Sequence, residues 1–268
     1  MKTPAEQMAA TAETVRFLAE RGIAVKRRWD GAFFVPGDVG IHSLGLTELP
    51  DFSQIEIVKG FYCYGNQLTS LKGAPRAVGG TFNCHDNKLD SLEHGPVSVG
   101  ASYYCDKNRL TSLEHAPREV PEVFDCAHNL LETLEGAPRA VGCHFFCEGN
   151  RLTSLKGMPE TVGGGIICAQ NRLRSLKRLP RFVTELCCQD NDLQSLEDVP
   201  DFELLCSDFG EFRDRGDIPK KSLLSDATKL RRANARQAFA DARATSATVL
   251  RRPLTVGAPL RLRPRGSP

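Results

Sequence analysis

Long apolar runs are missing from this sequence: no window approaches the roughly 18 consecutive apolar residues that a membrane-spanning helix needs. A basic N-terminal region followed by an apolar core, the mark of an export signal, is missing as well, so the expected location is cytoplasmic. Tryptophan occurs once and methionine three times. There is no phosphate-binding loop, no G-x-S-x-G nucleophile and no C-x-x-C zinc pair, and no two histidines have helical metal-ligand spacing. Those absences leave an enzymatic reading without residues to carry it. No catalytic residue, cofactor or metal is expected, and neither a membrane nor a small-molecule substrate.

What is present is a surplus of three residue types. The 268 residues include 23 glycines, 16 prolines and 10 cysteines, while the charge is near balance, with 35 basic against 33 acidic side chains. In a chain without an export signal, free thiols or metal ligands come before disulfides. The positions of the cysteines decide what they are. Cys63, Cys84, Cys105, Cys126, Cys147 and Cys168 are 21 residues apart, and Cys188 and Cys206 follow after 20 and 18. Eight of the ten cysteines therefore read as one repeat position.

Other columns run beside it. Three residues after the first seven cysteines stands an asparagine, from Asn66 through Asn108 and Asn129 to Asn191, and leucines follow at fixed offsets, such as Leu110 with Leu113 and Leu152 with Leu155. A proline closes each block, from Pro75 to Pro200. The consensus is F-x-C-x-x-N-x-L-T-S-L-E-G-A-P-x-x-V-G-G-x. A period of 20 to 21 residues predicts a solenoid, because one such unit cannot bury its apolar face without stacking on its neighbours.

Within each unit, F-x-C alternates as a short strand with one buried face does. Stacking these strands gives one parallel sheet. Its inward row is Phe61, Phe82, Tyr103, Phe124, Phe145, Ile166, Leu186 and Leu204, beside the thiols. The asparagine stands where the chain leaves the strand, and its amide suits backbone groups that the turn leaves unpaired. Proline and glycine in G-A-P exclude a helix on the return side, which should be extended or turn-like.

The pattern resembles the leucine-rich repeat L-x-x-L-x-L-x-x-N-x-L, with Phe82, Cys84, Asn87 and Leu89 at its second leucine, third leucine, asparagine and final leucine. Val183 to Pro200 keeps that spacing without a gap and is similar to the short repeats of bacterial effector proteins. The other units, with one residue more, look like the L-T-S-L-x-G-A-P repeats of phage and proteobacterial proteins. The resemblance covers about residues 39–209 and implies a leucine-rich-repeat solenoid of about nine units. It also raises a second reading, an effector-like protein without a catalytic domain, secreted without a cleavable signal. Leu49 and Phe209 fall in the asparagine place of the opening and closing units, as departures that suit capping units.

Residues 1–38 read as an N-terminal cap. Thr3 and Glu6 have capping-box spacing, Pro4 stands at the first helical position and Gly22 ends the segment, so a helix is predicted. Asp30-Gly31 between two apolar-rich runs predicts a hairpin. Residues 39–210 form the array. Residues 211–268 carry 14 basic against 5 acidic side chains, leaving 21 against 28 for the rest. A helix over 222–245 and an unstructured end are predicted there. Such a tail is either a solvated extension or a basic arm for nucleic acid or an acidic surface.

The inward thiol row reads as small buried hydrophobes, since a straight column neither converges on a tetrahedral ion nor favours cross-strand disulfides. Cys187 points outward and Cys143 takes a glycine place in a turn. Neither has a base to make it a nucleophile. The outward strand positions escape the consensus. There Tyr62, Tyr64, Tyr104 and Phe146 supply planar anchors, and Asp106, Asp125 and Glu148 supply negative charge. These seven predict a concave face that binds a protein or peptide, preferably a basic one, in a non-catalytic interaction module.

Overall fold

A computed structural model of the chain describes residues 3–208 and 210–213. The predicted helix 222–245 and the rest of the basic tail lie outside the described residues. At the N-terminus a helix spans Pro4–Ala19; Thr3 caps it through a reciprocal capping box with Glu6, and Pro4 occupies its first turn. Gly22 ends it with φ +70°, as Gly22 and Ile23 N–H donate to the carbonyls of Ala19 and Leu18. Its buried side chains are Thr11, Thr14 and Leu18, and Thr14 Oγ1 donates to the carbonyl of Asp51 in the first turn of the array. No helix among the described residues is long and apolar enough to cross a membrane.

The predicted hairpin joins Lys26–Arg27 to Phe33–Val35 in antiparallel register, and Phe33–Val35 then pairs in parallel with Ile55–Ile57. The hairpin is thus the first rung of the solenoid. Behind it, stacked coils build a ten-stranded sheet from Val39–Gly40 to Gly210–Phe212, with strands in chain order. Only the last pairing is antiparallel: Gly210–Phe212 folds back on Asp201–Ser207 and covers the end of the sheet. An edge closed by a reversed strand cannot accept a further coil in the same register.

The extended return side pairs as well. Two-residue strands such as Ala77–Val78 and Ser98–Val99 form a second ladder, so each 21-residue coil has two strands where one was expected. In this ladder the N–H after each valine donates to the valine of the coil before, as Gly100 does to Val78 and Gly142 to Val120. Pro121 occupies that donor place and has no N–H, and the second ladder breaks there into five strands and three. Glycine elsewhere in this column permits close approach: a Cβ on Gly100 or Gly142 would overlap the carbonyl of Gly79 or Pro121. The gap-free unit lacks this bend, and its two strands merge into one, Phe182–Cys187.

The core is a set of columns. Phe61, Phe82, Tyr103, Phe124 and Phe145 are fully buried, with successive ring centroids 5.1 to 5.8 Å apart, and Phe52 closes the row edge-on against Phe61 at 4.8 Å. The asparagines line a parallel column. Asn129 is typical: its Nδ2 donates to the carbonyls of Cys105, Cys126 and Ala127, and its Oδ1 accepts from Leu110 N–H at 2.9 Å. The residue before each asparagine is left-handed, with φ between 51° and 65° from Gly65 to Asp190, which turns the amide inward.

Tyr103 departs from its column by one hydroxyl, which is buried without a hydrogen-bond partner among the described residues. Room for it comes from Gly95, where other coils have Ala74, Ala116 and Ala137; a Cβ on Gly95 would stand 3.2 Å from that hydroxyl. Removing an unsatisfied buried donor recovers its desolvation cost, about 1–3 kcal/mol. Tyr103→Phe is therefore expected to raise the denaturation midpoint, with stabilisation near 1 kcal/mol after the small cavity is counted. A lower midpoint would show that the hydroxyl has a partner.

Register corrects the sequence reading at both ends. In the opening coil Val39 and Gly40 pair with Phe61 and Tyr62, which puts Leu44 in the asparagine place and Leu49 in that of Leu71. At the other end Leu186 pairs with Leu205 and Cys187 with Cys206. Leu205, not Leu204, continues the inward row, and Ser207 stands in the thiol column, since Cys188 N–H donates to the carbonyl of Cys206 as Cys84 does to Tyr104. Cys206 faces outward. The asparagine place of the closing coil falls at Gly210, and Phe209 lies outside the described residues. The last unit is one residue longer than cysteine spacing suggests, because hydrogen-bond register, not residue identity, sets the count.

Candidate functional site

The outward face of the ten-stranded sheet carries two adjacent columns. One contains Tyr62, Asn83, Tyr104, Asp125, Phe146 and Ile167 in direct register. The other, two residues on, contains Tyr64, His85, Asp106, Ala127 and Glu148. All seven residues singled out from the sequence lie in these columns, because period-2 strands send them opposite the buried row. Asp106 is buried, and the other six are half-buried.

Contacts run along the columns. His42 stacks on Tyr64 with ring centroids 4.4 Å apart, and Tyr64 meets the edge of His85 at 4.7 Å. His85 Nδ1 in turn lies 3.6 Å from Asp106 Oδ1. Sequence reasoning passed over His42 and His85, although His85 holds the same column place as Tyr64. Phe146 stacks on His144 at 5.9 Å. Burial pushes the phenol pKa of Tyr62 up, with help from the Asp38 charge, and burial does the same at Tyr104. Both phenols stay protonated donors.

Asp125 is the electrostatic centre of this face. Its Oδ1 accepts from Ala127 N–H at 2.9 Å, yet its carboxyl pKa is raised, first by burial and then by the charges of Asp106 and Glu148 on the flanking strands. A raised folded-state pKa means that the folded protein holds this proton more tightly than the unfolded chain. Its contribution to stability is full below the ordinary aspartate range and is lost as pH rises through the raised value. Asp125→Asn keeps the acceptor without the charge, and like charges on adjacent strands cost roughly 0.2–1 kcal/mol. The variant is expected to be more stable by that amount at pH 7 and no more stable at pH 3, read from urea midpoints at the two pH values.

The thiols fall into two environments. Along the inward row burial pushes the pKa values up, for Cys168 to about 12, and the Sγ atoms of Cys84, Cys105 and Cys126 donate to carbonyls of the next coil at 3.3 Å. Such thiols are unreactive packing groups. At the C-terminal end of the outward face Cys187 and Cys206 stand side by side. A hydrogen bond from Cys187 lowers the pKa of Cys206, and the same bond with burial holds Cys187 protonated. Cys143 is exposed in its turn.

Stacked coils of this period, with a leucine spine, an asparagine column and a parallel sheet open on one face, define a leucine-rich-repeat solenoid. Among solved structures the chain is similar to YopM from Yersinia enterocolitica WA-314, with a TM-score of 0.51 at 23% identity; the match covers 64% of this chain and 42% of that one. The likeness is one of fold. No protein-family model and no curated protein matches the sequence.

Proposed function

We propose that the protein is a non-catalytic binding module that holds a basic protein or peptide on the outward face of its sheet. The observation that carries this reading is the interleaving of half-buried aromatic rings with a carboxylate group centred on Asp125. Tyr62, Tyr64, Tyr104 and Phe146 offer planar area at little entropic cost. The charges of Asp106 and Glu148 act unfavourably on that of Asp125, and a cationic partner would relieve this repulsion where a neutral one would not. The sheet holds both sets rigidly, so little ordering is needed on binding. The reducing cytoplasm is the proposed location, on the strength of a buried row of free thiols.

Affinity capture from lysate with the whole chain as bait, identification of the partner, and titration of that partner test the reading. Tyr104→Ala combined with Phe146→Ala should weaken binding at least tenfold, as the loss of central aromatic anchors does. Asp125→Asn should weaken it too and flatten its salt dependence. Unchanged affinity in both variants would remove this face from the argument. The basic tail supports a second reading, nucleic-acid binding. Deleting residues 214–268 distinguishes the two, since only a phosphate-binding arm then loses a steeply salt-dependent retention on DNA or RNA.

A further inference from the structure

The corrected register places two thiols and a carboxylate together on the outward face, beginning two strands beyond Phe146 in the same column. Cys187 stands opposite Cys206 on the neighbouring strand, and Glu185, two residues before Cys187, shares its face. One ligand atom from each of the three lies within 4.8 Å of the other two. Cys187 Sγ is 3.5 Å from Glu185 Oε1. In the inward row, by contrast, thiols are directed to strand carbonyls and have only other thiols above and below. A column does not converge on a point, whereas a cross-strand pair with a carboxylate to one side does.

We propose that Glu185, Cys187 and Cys206 form a binding site for a thiophilic divalent cation of the zinc class. Two sulfur ligands exclude hard cations such as magnesium and calcium, which take oxygen. Zinc accepts mixed sulfur and oxygen sets, and tetrahedral bonds of about 2.3 Å to sulfur put two thiolates roughly 3.8 Å apart, within reach of side-chain rotation from the present arrangement. Three protein ligands leave the fourth position to water on the open side of the sheet. Glu211, paired with Cys206 across the antiparallel edge, is the next carboxylate by register. Binding balances as one cation taken up, two S–Zn bonds and one O–Zn bond formed, and up to two thiol protons released to solvent. The partner-binding reading does not enter this argument, and its failure would leave the site untouched.

The test uses the whole untagged chain, reduced and stripped of metal under exclusion of oxygen, and Co2+ as probe. One equivalent of Co2+ should produce thiolate-to-metal charge-transfer absorption, and Zn2+ should displace it with release of protons to a weak buffer. Cys187→Ser and Cys206→Ser should each weaken Co2+ binding at least a hundredfold, and Glu185→Gln at least tenfold. Cys143→Ser should bind as the unaltered protein does. Circular dichroism and the urea midpoint check that each variant is folded; should one serine variant unfold, the other and Glu185→Gln decide. The absence of a charge-transfer band in the folded unaltered chain would overturn the proposal, as would an equal band in folded variants lacking either thiol.

Discussion

Asn129→Ala is expected to lower the unfolding free energy by about 3–5 kcal/mol, the largest single-residue effect after loss of a core ring. The amide makes four hydrogen bonds inside the solenoid. Its removal leaves Leu110 N–H, a buried donor, without its acceptor. The carbonyl of Cys105 keeps Asn108, and that of Cys126 keeps Asn150, so each loses one of two donors. One orphaned donor at about 1–3 kcal/mol, with the weakened carbonyl contacts added, gives the stated sum. Asn129→Asp separates donor from acceptor: the shape is kept, but an ionised carboxylate faces carbonyl oxygens. Its folded-state pKa must be raised, so the variant should be least damaged at low pH and lose stability as pH rises. Urea midpoints from pH 3 to pH 8 measure both substitutions, and a cost under 1 kcal/mol for the alanine would refute the structural role of the column.

Leu110→Ala is expected to cost about 2–5 kcal/mol, the range for a buried leucine whose surroundings collapse only in part. Leu110 is fully buried between neighbouring coils on both sides. The same substitution at Leu193, near the end of the array, should cost less, because that side chain is only partly buried. Stability in a solenoid is a sum of coil and nearest-neighbour terms, and an internal coil has two such interfaces. The inward thiols provide the readout: a water-soluble maleimide should label Cys143 in the folded protein and the thiol row only on opening. Faster labelling of Cys105 and Cys126 in the Leu110 variant would locate the damage. An unaltered midpoint would mean that Leu110 does not face the core.

Periodicity made most of the fold legible. A residue type that recurs every 21 positions can be placed inward or outward without coordinates, and the asparagine could be assigned to turn carbonyls from its chemistry alone. The outward position of the seven residues was legible for the same reason, since period-2 alternation puts Tyr104 and Asp125 opposite Tyr103 and Phe124. His42 and His85 were harder to see, because their part comes from cross-strand stacking on Tyr64.

The ends were misread. Counting by cysteine assigned Cys206 to the inward column, although Phe202-x-x-Leu205 repeats Val183-x-x-Leu186 and marks the true register. A one-residue slip exchanges the two faces of a strand. Here it concealed the thiol pair that, with Glu185, forms the candidate cation site.

The amino-acid order alone determined that this chain stacks short coils around a row of rings, thiols and leucines, because each column had to repeat for any unit to bury its apolar side. Tertiary structure decided where the count begins and ends, where Pro121 interrupts the second ladder, how Gly95 makes room for Tyr103, and which cysteines meet. Those outcomes depend on side-chain contacts and on hydrogen-bonded strand partners that lie 19 to 22 positions apart, and a pattern read along the chain contains the residues but not the register that joins them.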